Sequence, residues 1–218
     1  DPATTSAGTG GHGPTLPALD VIIGGGHPGW NTSYLSMAMR NELEAESNAA
    51  QTFAFVERVV GLDNGGTRLQ NAALDSKVTG LVGLFGGADG QIDYRLANNS
   101  GHNPENPTLA QMTTAALTVL ERDYQGFTLM IEGGAVDWAA HANNLDQAIG
   151  EMIGFNDAVQ SVINWVDDAS TPADWTNTLF IVTGDHETGY LTAGPGIFPS
   201  VAFTMPITAA TLAQEKPV

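Results

Sequence analysis

Phe127-Thr128-Leu129-Met130-Ile131-Glu132-Gly133-Gly134-Ala135-Val136-Asp137-Trp138-Ala139-Ala140-His141 opens the stretch that decides the fold, and Thr178-Leu179-Phe180-Ile181-Val182-Thr183-Gly184-Asp185-His186-Glu187-Thr188-Gly189 closes it. Each half begins with a compact apolar run that reads as a buried strand. Between them Leu145, Ile149, Met152, Ile153, Val159, Val162, Ile163 and Val166 recur at helical spacing and predict one long helix over residues 144–168. Strand, helix, strand is a βαβ unit, which implies parallel pairing and a right-handed crossover. Both strands then end at the same edge of an α/β sheet, where open sheets of this class bind ligands.

The residues at those strand exits carry the chemistry. Glu132 stands directly after the first run. Asp137 and His141 are four apart, so a helical turn places them on one face, close enough to share an ion. Asp185 and His186 follow the second run and are neighbours. They reach one ion only if the chain bends, which Gly184 permits. Oxygen donors mixed with imidazoles suit zinc or another divalent ion, and two clusters suggest more than one metal. Taken singly, Asp185 reads equally well as a helix cap and Glu132 as a loop carboxylate.

Working outward, α and β signals alternate. Residues 20–23 form a short strand ended by Gly24-Gly25-Gly26. Residues 34–50 hold good helix formers with a weak apolar stripe, residues 53–60 are β-like, and residues 78–85 are another apolar strand. Residues 86–106 are a long polar loop. Pro107 and Thr108, with Gln111 three later, form a capping box. Leu109, Met112, Ala116, Leu117 and Leu120 then give a clear helical stripe. Residues 1–16 read as a flexible start, and residues 194–218 as a tail with no assigned structure. His12, His27 and His102 read as loop histidines, and Trp138 as a side chain packed beneath the site.

At 218 residues the chain is long enough for one domain with a sizeable core. Seven basic against 24 acidic residues give a net charge of −17, which disfavours nucleic acid and anionic membrane as partners. The same charge repels any anionic substrate, so cations have to supply the attraction. Low lysine with abundant Asp, Ala and Gly suits a salt-adapted source, an ordinary solvated acidic surface being the plainer reading. With no cysteine there is neither a disulfide nor a thiolate ligand. No run of about 18 apolar residues spans a membrane. Asp1-Pro2-Ala3 does not read as a signal peptide, and no glycine-rich loop precedes a helix in the P-loop manner.

Glu-Gly-Gly-x-x-Asp-Trp-x-x-His at residues 132–141, followed by a long helix and Thr-Gly-Asp-His-Glu-Thr-Gly at residues 183–189, resembles the alkaline phosphatase family. The likeness extends to Asp20-Val21-Ile22-Ile23-Gly24-Gly25-Gly26, Leu81-Val82-Gly83-Leu84-Phe85 and Pro107-Thr108-Leu109-Ala110-Gln111-Met112-Thr113, in the family's order. It implies an α/β three-layer sandwich with a largely parallel sheet flanked by helices, incomplete here relative to the family. Position by position, Glu132 matches a magnesium ligand, Asp137 and His141 two ligands of one zinc, and Asp185 and His186 two ligands of the second. The implied activity is phosphate monoester hydrolysis through a phosphoserine, in a periplasmic or extracellular homodimer.

No residue here matches the family's serine nucleophile, bridging aspartate or phosphate-binding arginine, and no histidine follows His186. Thr4-Thr5-Ser6-Ala7-Gly8 resembles a serine motif only superficially. The chain therefore reads as one partial domain over residues 1–218, the later portion of a phosphatase, inactive or nearly so in isolation and with no catalytic residue assigned. The alternatives are a silent metal-binding or assembly module of the same fold, and a phosphodiesterase or sulfatase-like relative.

Overall fold

The computed structural model describes residues 19–30, 32–87, 92 and 95–188. The flexible start and the unassigned tail expected from sequence, with Ser6 and His12, lie outside them. Three parallel strands, β1 (Val21–Gly24), β2 (Phe53–Glu57) and β3 (Gly80–Leu84), form a sheet in the order β1-β3-β2. Val21 pairs with Leu81 and Phe53 with Gly80. Helix α1 (Met37–Ala49) connects β1 to β2, and α2 (Gly65–Leu74) connects β2 to β3. Then follow α3 (Leu109–Leu120), α4 (Ala135–His141) and α5 (Leu145–Asp167).

The period-two alternation of the strands sorts the layers. Val21, Ile23, Ala54, Val56, Leu81 and Phe85 pack with Leu69 and Ala73 of α2 and Met112, Ala115 and Val119 of α3 into the main core. The opposite face presents Phe55 and Glu57 to α1, whose Arg40 lies over the Phe55 ring and forks onto the Glu57 carboxylate. Helices therefore cover both faces of a parallel sheet, the three-layer α/β arrangement expected. β2 is an edge strand, and its outward Phe55 N–H is capped by the Ser47 hydroxyl of α1 at 3.0 Å.

The capping box at the start of α3 forms as expected: Thr108 accepts from the Gln111 amide, and the Gln111 side chain accepts from the Thr108 amide. Helix α2 lies in a stretch where the sequence reading placed no element. Its signal was weak, because only Leu69 and Ala73 carry the apolar side of a helix that opens on Gly65-Gly66. Gly65 is a packing requirement: a Cβ there would meet the Glu105 carbonyl oxygen at 2.1 Å.

Two expectations are corrected here. Residues 127–131 and 178–183 form no strand ladder among the described residues. Only part of each run still turns alternate side chains inward, since Phe127 and Val182 are exposed. Leu129, Ile131 and Phe180 pack on Leu117, Val162 and Val166, while Met130, Leu179 and Ile181 are exposed. Apolar alternation fixes which face is buried, but a strand also needs a neighbouring backbone within hydrogen-bonding distance.

The second correction concerns α5, whose first half does not bury the apolar stripe. Leu145, Ile149, Met152 and Ile153 are exposed, and the buried positions are Gln147, Gly150, Glu151 and Gly154. The loop before α3 decides this rotation. The Glu151 carboxylate accepts from the Arg95 amide at 2.8 Å, and a Cβ at Gly150 would lie 2.1 Å from the Arg95 carbonyl oxygen. The close backbone approach and this hydrogen bond turn Gly150 and Glu151, and not the apolar stripe, toward that loop.

Candidate metal centre

Helix α4 forms directly after the Glu132-Gly133-Gly134 loop, and its Val136 amide donates to the Gly133 carbonyl at 3.1 Å. A Cβ at Gly133 would come within 2.9 Å of the Phe155 ring of α5, so the glycine lets this loop lie on the long helix. Asp137 in the first turn and His141 in the last share a face, with Asp137 Oδ2 3.6 Å from His141 Nε2. The acid sits at the end where the helix dipole favours negative charge, and the imidazole where it favours positive.

The neighbouring pair is drawn together by a bend. The His186 amide donates to Asp185 Oδ1 at 3.0 Å, and this local turn brings Asp185 Oδ2 within 3.5 Å of His186 Nε2. His186 Nδ1 lies 2.9 Å from the Glu187 carbonyl oxygen. A carbonyl accepts only, so Nδ1 carries the proton of the neutral ring. The Glu187 carbonyl, followed by the Asp185 and Asp137 charges, raises the His186 pKa above the ordinary imidazole value.

Thr188 joins the two pairs. Its hydroxyl donates to Asp137 Oδ1 and lies 3.3 Å from His186 Nδ1. His141, Asp137, Thr188, His186 and Asp185 thus form one continuous polar chain across segments far apart in sequence. Thr188 is the contact that relates these four ligand candidates, which gather neither at a strand end nor three at one point among the described residues. Glu132 stands apart from the chain. It lines a cavity of about 130 Å³ with Gly133, Trp138, Met112, Glu151 and Phe155. Trp138, read as a buried packing residue, is 44% exposed and forms part of that wall.

The donor set fits zinc in chemistry and spacing. Two donors ~2.0–2.1 Å from a tetrahedral ion stand ~3.3–3.5 Å apart, close to the separations within each Asp–His pair. The donor count does not fit, since no three His, Cys, Asp or Glu side chains among the described residues converge on one point. Each pair supplies two of the three or more protein ligands that zinc sites use.

The sequence reading missed a second polar cluster. His27, read as a loop histidine, is 8% exposed and bonded through Nε2 to Glu57 at 2.8 Å. Its Nδ1 accepts from the Gly29 amide at 3.0 Å, so the neutral ring carries its proton on Nε2 and donates it to Glu57. Arg40 completes the carboxylate's partners, and Arg58 beside it stacks over Trp30 and pairs with Glu105. These partners lie 17 to 47 positions apart, a range that no local spacing reveals.

The family model for alkaline phosphatase matches residues 15–216. The chain is 31% identical over 193 residues to alkaline phosphatase 3 of Bacillus subtilis (strain 168), covering 88% of this chain and 35% of that protein. It is also 31% identical over 202 residues to the tissue-nonspecific alkaline phosphatase isozyme of Rattus norvegicus, covering 83% and 35%. Identity to the alkaline phosphatase of Escherichia coli (strain K12) is 29% over 185 residues, covering 77% and 36%. The crystal structure of a cold-active alkaline phosphatase from the psychrophile Shewanella sp. aligns with a TM-score of 0.47 at 25% identity, over 67% of this chain and 30% of that one. The chain spans about a third of the length of the curated relatives it matches.

Proposed function

Since the chain belongs to the alkaline phosphatase family, we propose that it carries metal-binding residues of a phosphate monoester hydrolase. Asp137 and His141 would hold one zinc, Asp185 and His186 a second, and Glu132 a magnesium. The observation that carries this reading is the hydroxyl bridge from Thr188 to Asp137, which joins two zinc-type donor pairs from distant segments. A bound divalent ion in such a site supplies Lewis acidity and charge neutralisation toward a phosphoryl group. The residues of this chain orient their donors: the Glu187 carbonyl fixes the His186 tautomer, and Thr188 fixes the Asp137 carboxylate. With a net charge of −17, attraction of a phosphate ester depends on those ions.

No residue of the 218 matches the family's serine nucleophile and each donor pair falls short of a full zinc shell, so the isolated chain binds zinc more weakly than an intact site and turns over no phosphate monoester at an enzymatic rate. The parent protein would be periplasmic or extracellular and a homodimer. No helix among the described residues is long and apolar enough to cross a membrane. A second reading, a catalytically silent assembly module of the same fold, is favoured by the two-ligand pairs that lack a converging third donor among the described residues.

Zinc titration against a chromophoric chelator tests the binding. The chain takes up zinc, and Asp137→Ala and Asp185→Ala each remove one binding step. Uptake no greater than that of the double variant refutes the site. In the companion aryl phosphate assay with zinc and magnesium, turnover below ~1 s⁻¹ is expected, under the ordinary enzyme range. Faster turnover that vanishes on Asp185→Ala would show that the chain supplies its own nucleophile.

A further inference from the structure

A cleft of about 340 Å³ opens between α1 and α2 at the outer edge of β2. It is larger than the cavity beside Glu132 and lies at the lower end of the ~300–1,000 Å³ that small-molecule sites span. Glu44, Ser47 and Asn48 of α1, Phe55 and Glu57 of β2, and Arg68 of α2 line it. Its charges are unequally committed. Arg40 serves both acids, pairing with Glu44 and forking onto Glu57, which also receives His27. Arg68 has no such partner among the described residues. Its Nε donates to the Asn64 side-chain oxygen at 3.1 Å, and Nη2 donates to the Glu57 backbone carbonyl at 2.6 Å. Both acceptors are neutral, and they take two of the five N–H donors of a guanidinium. Burial holds the Arg68 pKa below the ordinary arginine value, the charge of Glu57 only partly opposing it. A half-buried cation held by neutral groups stands out in a chain of 24 acidic and seven basic residues.

We propose that this cleft binds a small organic monocarboxylate, its carboxylate held by Arg68 and its hydrocarbon body laid against Phe55. Two further donors are at hand. The Ser47 hydroxyl accepts from the Phe55 amide at 3.0 Å, and its own proton has no acceptor among the described residues. The Asn48 side-chain amide is likewise uncommitted among them. A planar guanidinium matches a planar carboxylate through parallel charge-assisted bonds. Glu44 and Glu57 line the same cleft, and like charges brought together are penalised. A singly charged carboxylate is repelled less by them than a phosphate dianion, and Arg40 already offsets much of their charge. The site shares no residue with the zinc donor pairs and does not depend on them.

The test uses the full 218-residue chain with sodium benzoate as the probe, at constant ionic strength, followed by the NMR shifts of the Asn48 side-chain amide and the Arg68 Nε–H. Benzoate should move both signals saturably. Benzamide, of the same shape without the charge, should not, and inorganic phosphate should need ~10-fold or more higher concentration. Hydrogen bonds to a charged group are worth on the order of 10- to 100-fold in affinity, so Arg68→Gln is expected to weaken benzoate binding by ~10-fold or more. Arg68→Gln also frees the Glu57 carbonyl. Asn48→Asp breaks no bond among the described residues, adds a carboxylate to the cleft and should weaken benzoate binding likewise, which keeps the test intact if Arg68→Gln does not fold. Thermal melts identify the folded variants. Absence of a saturable benzoate shift in wild type overturns the site, as does unchanged affinity in the folded variants. Phosphate binding as tight as benzoate overturns the carboxylate assignment.

Discussion

Replacing Glu57 by glutamine tests the polar cluster that ties α1 to the sheet. The Glu57 carboxylate receives His27 Nε2 and Arg40 Nε, each at 2.8 Å, and a second Arg40 nitrogen, with its side chain 19% exposed. Hydrogen bonds to a charged group are worth about 1.5–3 kcal/mol each. Glutamine keeps the shape but turns one acceptor into an amide that faces donors, so about two such bonds are lost. Partial exposure lets water recover some of this, leaving a destabilisation of about 2–3 kcal/mol. For a chain of this size that lowers the melting temperature by about 4–12 °C. Glu44, also paired with Arg40 but 51% exposed, is the control, and Glu44→Gln should cost about 0.3–0.5 kcal/mol.

The pH dependence has a definite sign. Burial pushes the Glu57 carboxyl up, but its bonds to Arg40 and His27 outweigh that and hold it below its ordinary value of 4.5. Its stabilisation is therefore complete above about pH 4.5 and lost as pH falls through the lower folded value. Urea unfolding of wild type and variant across this range should show a gap that closes in acid. A Glu57→Gln midpoint at neutral pH no different from that of Glu44→Gln would refute the reasoning.

Leu69 is fully buried between α2, α3 and the sheet, and Leu69→Ala should destabilise by about 2–5 kcal/mol in urea unfolding. Thr108→Ala breaks the capping box of α3 and should cost about 1 kcal/mol in the same assay. With 24 acidic against seven basic residues, added sodium chloride should raise the melting temperature by screening self-repulsion. Thermal melts at low and high salt check this, and a temperature that does not rise counts against it.

Sequence alone determined whatever depends on local spacing. Short apolar runs marked β1, β2 and β3, the Thr108–Gln111 box marked the start of α3, and the four-residue step from Asp137 to His141 placed both on one face of α4. Adjacent Asp185 and His186 needed a bend, and Gly184 ahead of them made that bend readable. The tertiary structure decided whatever depends on a partner distant in the chain. The bridge from Thr188 to Asp137 spans 51 positions, and the His27–Glu57 bond spans 30. The buried face of α5 was set by Arg95, 56 positions from Glu151, against the helix's own apolar stripe. Periodicity records which side chains prefer to leave water. A buried donor or acceptor also needs a partner, whose loss costs about 1–3 kcal/mol, and only the folded chain shows which partners are within reach.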